Sequence, residues 1–148
     1  MSLLEQINAD IKSAMKAKEK DKLQAIRSVK SAFMLEMTKT GATELEDTKA
    51  IGILQKLVKQ RKDAAETYKS GGREDLADKE LLEMGFLEVY LPAKLTDQEL
   101  SIAIEQIINE TDASSMKDMG KVMGIASKQL AGKADGRSIS DKVKALLS

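Results

Sequence analysis

Three observations predict an all-α fold for this sequence. Helix breakers and strand-favouring aromatics are scarce: there is one Pro, with two Tyr, two Phe and no Trp. Lys, Glu, Ala, Leu and Met, all good helix formers, are abundant. Apolar residues recur at three- and four-residue steps behind capping signals, whereas no segment sustains the two-residue alternation of a strand. The expected architecture is an N-terminal helical domain of about four helices over residues 1–92, followed by a three-helix C-terminal domain over 96–148.

The elements follow in order. Ser2 with Glu5 three residues on forms a capping box for a first helix, whose buried stripe is Leu4, Ile7, Ile11 and Met15. The charged Lys16–Lys22 stretch holds the first turn. A second helix carries Leu23, Ile26, Val29, Phe33 and Met37, ending near Gly41. A third starts at Glu46 or Asp47 and puts Ile51, Leu54, Val58, Arg61, Ala65 and Tyr68 on one face; Gly71-Gly72 supplies its C-terminal glycine. A fourth runs from about Arg73 to Tyr90 and stops at Leu91-Pro92, because the residue before proline disfavours helical backbone.

Beyond Pro92 the predicted helices are shorter. Thr96-Asp-Gln-Glu99 is a second capping box, leading into Leu100, Ala103, Ile104, Ile107 and Ile108. Ser115-Met-Lys-Asp118 resembles a third, and Ser138-Ile-Ser-Asp141 opens a last helix with Val143, Leu146 and Leu147. Pro92–Leu95 is the expected boundary.

Composition bounds the chemistry. With 24 basic and 24 acidic residues, the field of the whole molecule does not drive nonspecific polyanion binding. Residues Lys117–Ser148 are the exception, with seven basic against three acidic, so a polyanion site would be a local patch. Absent His removes imidazole general bases and ligands, and absent Cys removes thiolate nucleophiles, thiolate metal sites and disulfides. No phosphate-binding glycine motif occurs, and no apolar run approaches the roughly 20 residues of a membrane span. The expectation is a soluble cytoplasmic protein with no cofactor, no metal and no membrane partner, and without catalysis by this chain alone.

The most unusual segment is Asp118-Met-Gly-Lys-Val-Met-Gly124 with Gly132-Lys-Ala-Asp-Gly136. On a helix starting near Met116, Lys117, Gly120, Lys121, Gly124 and Lys128 share an arc of roughly 100° at about 100° per residue. Met116, Met119, Met123, Ala126 and Leu130 form the opposite, core-facing stripe. A helical Gly costs about 1 kcal/mol relative to Ala, and a basic face bare of side chains lets an anion approach the backbone. The alternative for Gly120 and Gly124 is close packing against another helix. Gly132 is read as a helix end and Asp135-Gly136 as a turn, flanked by Lys133 and Arg137.

Other charged positions have simpler accounts. Lys56, Lys59, Arg61 and Lys62 are a dense basic cluster, for which pairing with Asp63 and Glu66 competes with phosphate contact. Glu80 interrupts the Leu76, Met84, Leu87 stripe, and Arg61 is its natural partner in a buried pair.

Several segments together resemble the YqeY-like family: Lys117-Asp-Met-Gly-Lys-Val-Met-Gly124, Gly132-Lys-Ala-Asp-Gly136, Lys59-Gln-Arg-Lys-Asp63, Gly72-Arg-Glu-Asp-Leu76 and Leu87-Glu-Val-Tyr-Leu-Pro92. The likeness covers essentially the whole chain, although Leu35 stands where a polar residue would be expected. Its C-terminal part resembles the tail domain of GatB, a subunit of the tRNA-dependent amidotransferase, a carbon–nitrogen ligase with glutamine as amido donor. The resemblance implies a helical protein related to tRNA handling, with the amidotransferase or aminoacyl-tRNA machinery as possible partners. The catalytic portion of that subunit is absent from this chain.

Two classes of function remain open on the residues. One is a module binding tRNA by backbone and shape, using Lys117, Gly120, Lys121, Gly124, Lys128, Lys133 and Arg137; with no aromatic in this segment, base stacking does not contribute. The other is a protein-interaction adaptor, in which the Gly/Lys face receives a partner helix.

Overall fold

The computed structural model describes residues 1–148, and every regular element in it is helical. The helices are α1 (Leu3–Lys16), α2 (Lys20–Thr40), α3 (Asp47–Ser70), α4 (Glu74–Glu88), α5 (Asp97–Thr111), α6 (Met119–Gln129) and α7 (Gly136–Leu147), with a 3₁₀ turn over Met116–Asp118 before α6. The backbone forms two compact units, Met1–Leu91 and Pro92–Ser148, each with its own apolar core.

In the first unit, the Ser2–Glu5 capping box starts α1, with Ser2 Oγ accepting from the Glu5 amide at 3.2 Å and Glu5 Oε2 from the Ser2 amide at 2.9 Å. The Leu3 amide also donates to Asp47 Oδ1 at 3.1 Å, tying the start of α1 to the start of α3. The stripe on α1 turns inward through Ile7 and Ala14, and Met15 is 53 % exposed. The expected Leu4-to-Met15 stripe therefore fails at its C-terminal end, where the smaller Ala14 takes the buried place. Ala25, Ile26, Val29 and Phe33 of α2 meet Leu54 of α3 and Leu87 of α4 in the core. Gly41, at φ 72°, closes α2 in the left-handed conformation that glycine adopts without strain. Helices α3 and α4 pack as an αα-hairpin about Gly71-Gly72, where Gly72 has φ 75°. The end of α4 tightens into three-residue bonds, Tyr90 N–H to Leu87 O and Leu91 N–H to Glu88 O, just before Pro92.

Arg61 corrects a pairing. Its Nε lies 3.4 Å from Glu83 Oε2, and its Nη2 donates to Ser28 Oγ at 2.9 Å, while Ser28 Oγ donates to Ala25 O. The partner is Glu83, which is 8 % exposed, and not Glu80. Both glutamates share a face, three residues apart, but Glu83 stands one turn before the fully buried Leu87. Leu35 is 70 % exposed on α2.

In the second unit, the Thr96–Glu99 capping box starts α5, with Thr96 Oγ1 accepting from the Glu99 amide at 3.1 Å and Glu99 Oε1 from the Thr96 amide at 3.1 Å. Leu100, Ile104 and Ile107 of α5, Val122, Ala126 and Leu130 of the α6 region, and Ile139, Val143 and Leu147 of α7 make the core. No helix in the chain is long and apolar enough to cross a membrane.

Candidate nucleic-acid interface

The site builds outward from the core side of α6. Val122 and Ala126 are fully buried and Leu130 follows four residues later, so the inward direction runs through these three. Met119 and Met123 flank them at half burial, while Met116 is 44 % exposed. The expected stripe was centred on the methionines; the observed one is rotated toward Val122. A 3₁₀ turn over Met116–Asp118 precedes the helix. It winds at about 3 residues per turn and not 3.6, so Met116 falls out of phase with α6.

The rotation leaves the opposite side as expected. Gly120, Lys121, Gly124 and Lys128 are all exposed, and Lys117 is exposed on the preceding turn. A Cβ placed on Gly120 or Gly124 would meet nothing within 4 Å. Packing against another helix of this chain therefore does not explain either glycine. Lys121 and Lys128 stand about 10 Å apart along the axis, at 1.5 Å per residue. Ion pairs in the molecule employ Lys22, Lys49, Arg61, Arg73 and Lys142, so Lys117, Lys121, Lys128, Lys133 and Arg137 are unpaired.

Nearby carboxylates are occupied by backbone. Asp118 Oδ2 accepts the Ser114 amide at 2.9 Å, and that bond leads the causes that hold its carboxyl below the ordinary value, with Lys117 and Lys121 adding to it. Ser115 makes no side-chain cap, and the Asp118 carboxylate takes the Ser114 amide in place of the Ser115 amide, so the expected capping box does not form. Asp135, not Ser138, caps α7: its Oδ1 accepts the Ser138 amide at 2.7 Å, which likewise lowers its carboxyl. The cap of α7 thus lies three residues before the expected one.

Past α6, Gly132 at φ 78° turns the chain, and Lys133 follows, its carbonyl accepting the Leu95 amide at 2.8 Å. Lys133 and Arg137 bracket the capping Asp135, so the candidate residues occupy a face of α6, the turn after it and the first turn of α7. Lys94 also reaches this turn, since its charge contributes to lowering Asp135. Sequence reasoning missed it: Lys94 sits before Thr96, remote in the chain, and only the Leu95–Lys133 hydrogen bond draws it in.

Concave sites lie elsewhere. One depression of about 380 Å³ is lined by Glu19, Lys20, Asp21, Lys22, Leu82 and Phe86, and another of about 240 Å³ by Asp97, Leu100, Ser138, Asp141, Lys142 and Ala145. Neither contains a candidate cation. No three His, Cys, Asp or Glu side chains converge as a metal site. The Gly/Lys surface offers ammonium and guanidinium donors on an open, convex helix, an arrangement suited to holding an extended anion.

An all-helical protein of two units with a local basic face is the class this geometry defines. The chain belongs to the YqeY-like protein family, whose family model matches residues 4–147. Among its relatives is "Altered inheritance of mitochondria protein 41, mitochondrial". The protein of that name from Vanderwaltozyma polyspora is 32% identical over 106 residues, covering 70% of this chain and 57% of the relative. That from Pyrenophora tritici-repentis is 27% identical, covering 96% of this chain and 79% of the relative. That from Clavispora lusitaniae is 32% identical, covering 87% and 74%. This chain thus spans little more than half of the Vanderwaltozyma protein.

These relatives correct one expectation. A cytoplasmic location was expected from the absence of cysteines and of any apolar run of membrane-spanning length, but the relatives are named as mitochondrial proteins. Both features are equally compatible with an organelle, so the cytoplasmic assignment falls.

Proposed function

We propose that the C-terminal unit is a non-catalytic tRNA-binding module, which reads phosphate backbone and shape through the Gly/Lys face of α6 and the turn that follows it. The observation that carries this reading is the combination, on the side of α6 away from its core, of two glycines open to solvent with unpaired lysines. Lys117, Lys121, Lys128, Lys133 and Arg137 supply the positive charge, and Lys94 adds to the turn. Gly120 and Gly124 let a phosphate strand approach the helix backbone. Asp118 and Asp135 stay ionised beside this face, but these two carboxylates do not balance its five cations. A relationship to tRNA-dependent amidotransferase is part of the same proposal: this chain would hold tRNA while other proteins carry out amide transfer.

The test is filter binding of tRNA across a salt series. Four or five phosphate contacts at this face contribute between roughly −3 and −5 to the slope of log affinity on log salt. Lys121→Glu combined with Lys128→Glu should abolish binding while circular dichroism stays unchanged. Absence of tRNA binding at low salt would overturn the proposal and leave the adaptor reading, in which the same face receives a helix.

A further inference from the structure

Helix α3 carries a second group of exposed lysines in the other unit. Lys56, Lys59 and Lys62 are exposed and stand outside every ion pair of the molecule. They span about 9 Å of helix axis at 1.5 Å per residue. Asp63 and Glu66 lie four residues after Lys59 and Lys62, yet neither pair closes. Helical ion pairs favour the acid N-terminal to the base, and here the order is reversed. The expected local pairing is thus missing, and three lysines and two carboxylates are left to solvent with a net positive charge.

Gly52 sits on this same side, four residues before Lys56 and seven before Lys59. It is exposed, and a Cβ there would meet nothing within 4 Å. The core side of α3 runs through Ala50, Leu54 and Ala65, with Arg61 between them. At about 100° per residue, Gly52 is about 200° from Leu54 and so faces away from the core. Helix α6 shows the same placement, with Gly124 opposite its core and Lys128 four residues on. Lys49 and Lys121 each precede the glycine by three residues, although Lys49 is engaged with Glu36 at 3.2 Å.

We propose that the Gly52, Lys56, Lys59 and Lys62 side of α3 is a second contact surface for RNA phosphate backbone. The ligand class rests on the reading of α6; the surface itself does not. An RNA backbone suits this side better than a lipid surface does, because a helix that lies on a membrane needs an apolar face beside its basic one. Thr48, Gly52, Lys56, Lys59, Gln60, Lys62, Asp63 and Glu66 are the exposed residues around it, and none is apolar. It also lacks the aromatic or aliphatic anchor on which protein interfaces depend.

A short RNA duplex titrated into the isotope-labelled full chain, read by amide chemical shifts, separates the two surfaces. Shifts at residues 52, 56, 59 and 62 are expected. With Lys56→Gln, Lys59→Gln and Lys62→Gln together, the salt slope should become shallower by about 2 to 3, near one per lost phosphate contact. Shifts confined to α6 and the start of α7, with an unchanged slope, would overturn this inference and leave the α6 reading standing. Shifts on α3 alone would support it and overturn the α6 reading. Absence of shifts on both helices would overturn both. Shifts on α3 with anionic phosphatidylserine vesicles but not with RNA would overturn it in favour of a membrane surface.

Discussion

At the scale of single residues, the informative positions are those where a local preference is overruled. Gly124 lies inside α6 with open space where a side chain would stand. Nothing within the chain requires glycine there, so Gly124→Ala should raise stability by about 0.5–1 kcal/mol, measured as a shift in the urea midpoint. The same substitution should weaken tRNA binding if the bare backbone is the contact. A large loss of stability would instead mean that the helix face is packed. Arg61 is the contrasting residue. Its presence on an apolar face signalled a buried pair, but the sequence carries two glutamates on the facing stripe of α4. Choosing Glu83 over Glu80 depends on how α3 and α4 are rotated against each other, which local spacing does not specify.

At the scale of elements, capping decides where helices begin. Ser2 and Thr96 were readable because both halves of the box lie within four residues and both form. Ser115 and Ser138 match similar patterns, yet Asp118 bonds backward to Ser114 and Asp135 takes the cap of α7. Several short polar residues compete at each of these starts, and tertiary placement selects among them. Asp135→Ala should therefore lower the stability of the C-terminal unit by about 1 kcal/mol. The pH dependence follows from the same bonds. Asp118 and Asp135 have an ordinary value of 3.8 and Glu99 one of 4.5, and all three carboxyls are lowered in the fold, chiefly by backbone amides. A lowered carboxyl stabilises the fold fully above its unfolded value and loses that stabilisation as the pH falls through its folded value. Thermal melts should thus be flat from neutral pH down to about 5, then fall below about 4.5. Asp135→Ala should show a shallower acid loss.

At the scale of the molecule, the two units close their cores independently. Ile7, Ile26, Val29, Phe33, Leu54 and Leu87 belong to one cluster, and Ile104, Ile107, Val122 and Val143 to the other. Residues 92–148 produced alone should be helical and unfold cooperatively, as domains of this size can. Circular dichroism during thermal unfolding checks this; a non-cooperative melt would mean that the C-terminal unit depends on the rest of the chain.

The sequence by itself determined that the chain is helical, roughly where each helix lies, and that a glycine-rich basic face would lie away from the α6 core. These follow from propensity and a 3.6-residue period, which act within a few turns. Tertiary structure alone decided that Val122 leads the core stripe, that Glu83 meets Arg61, that Lys94 joins the turn at Lys133, and that Lys56, Lys59 and Lys62 stay unpaired. Each of these depends on the phase of one helix against its neighbours or on a contact between distant parts of the chain, and such rotations are set by packing, not by the local pattern.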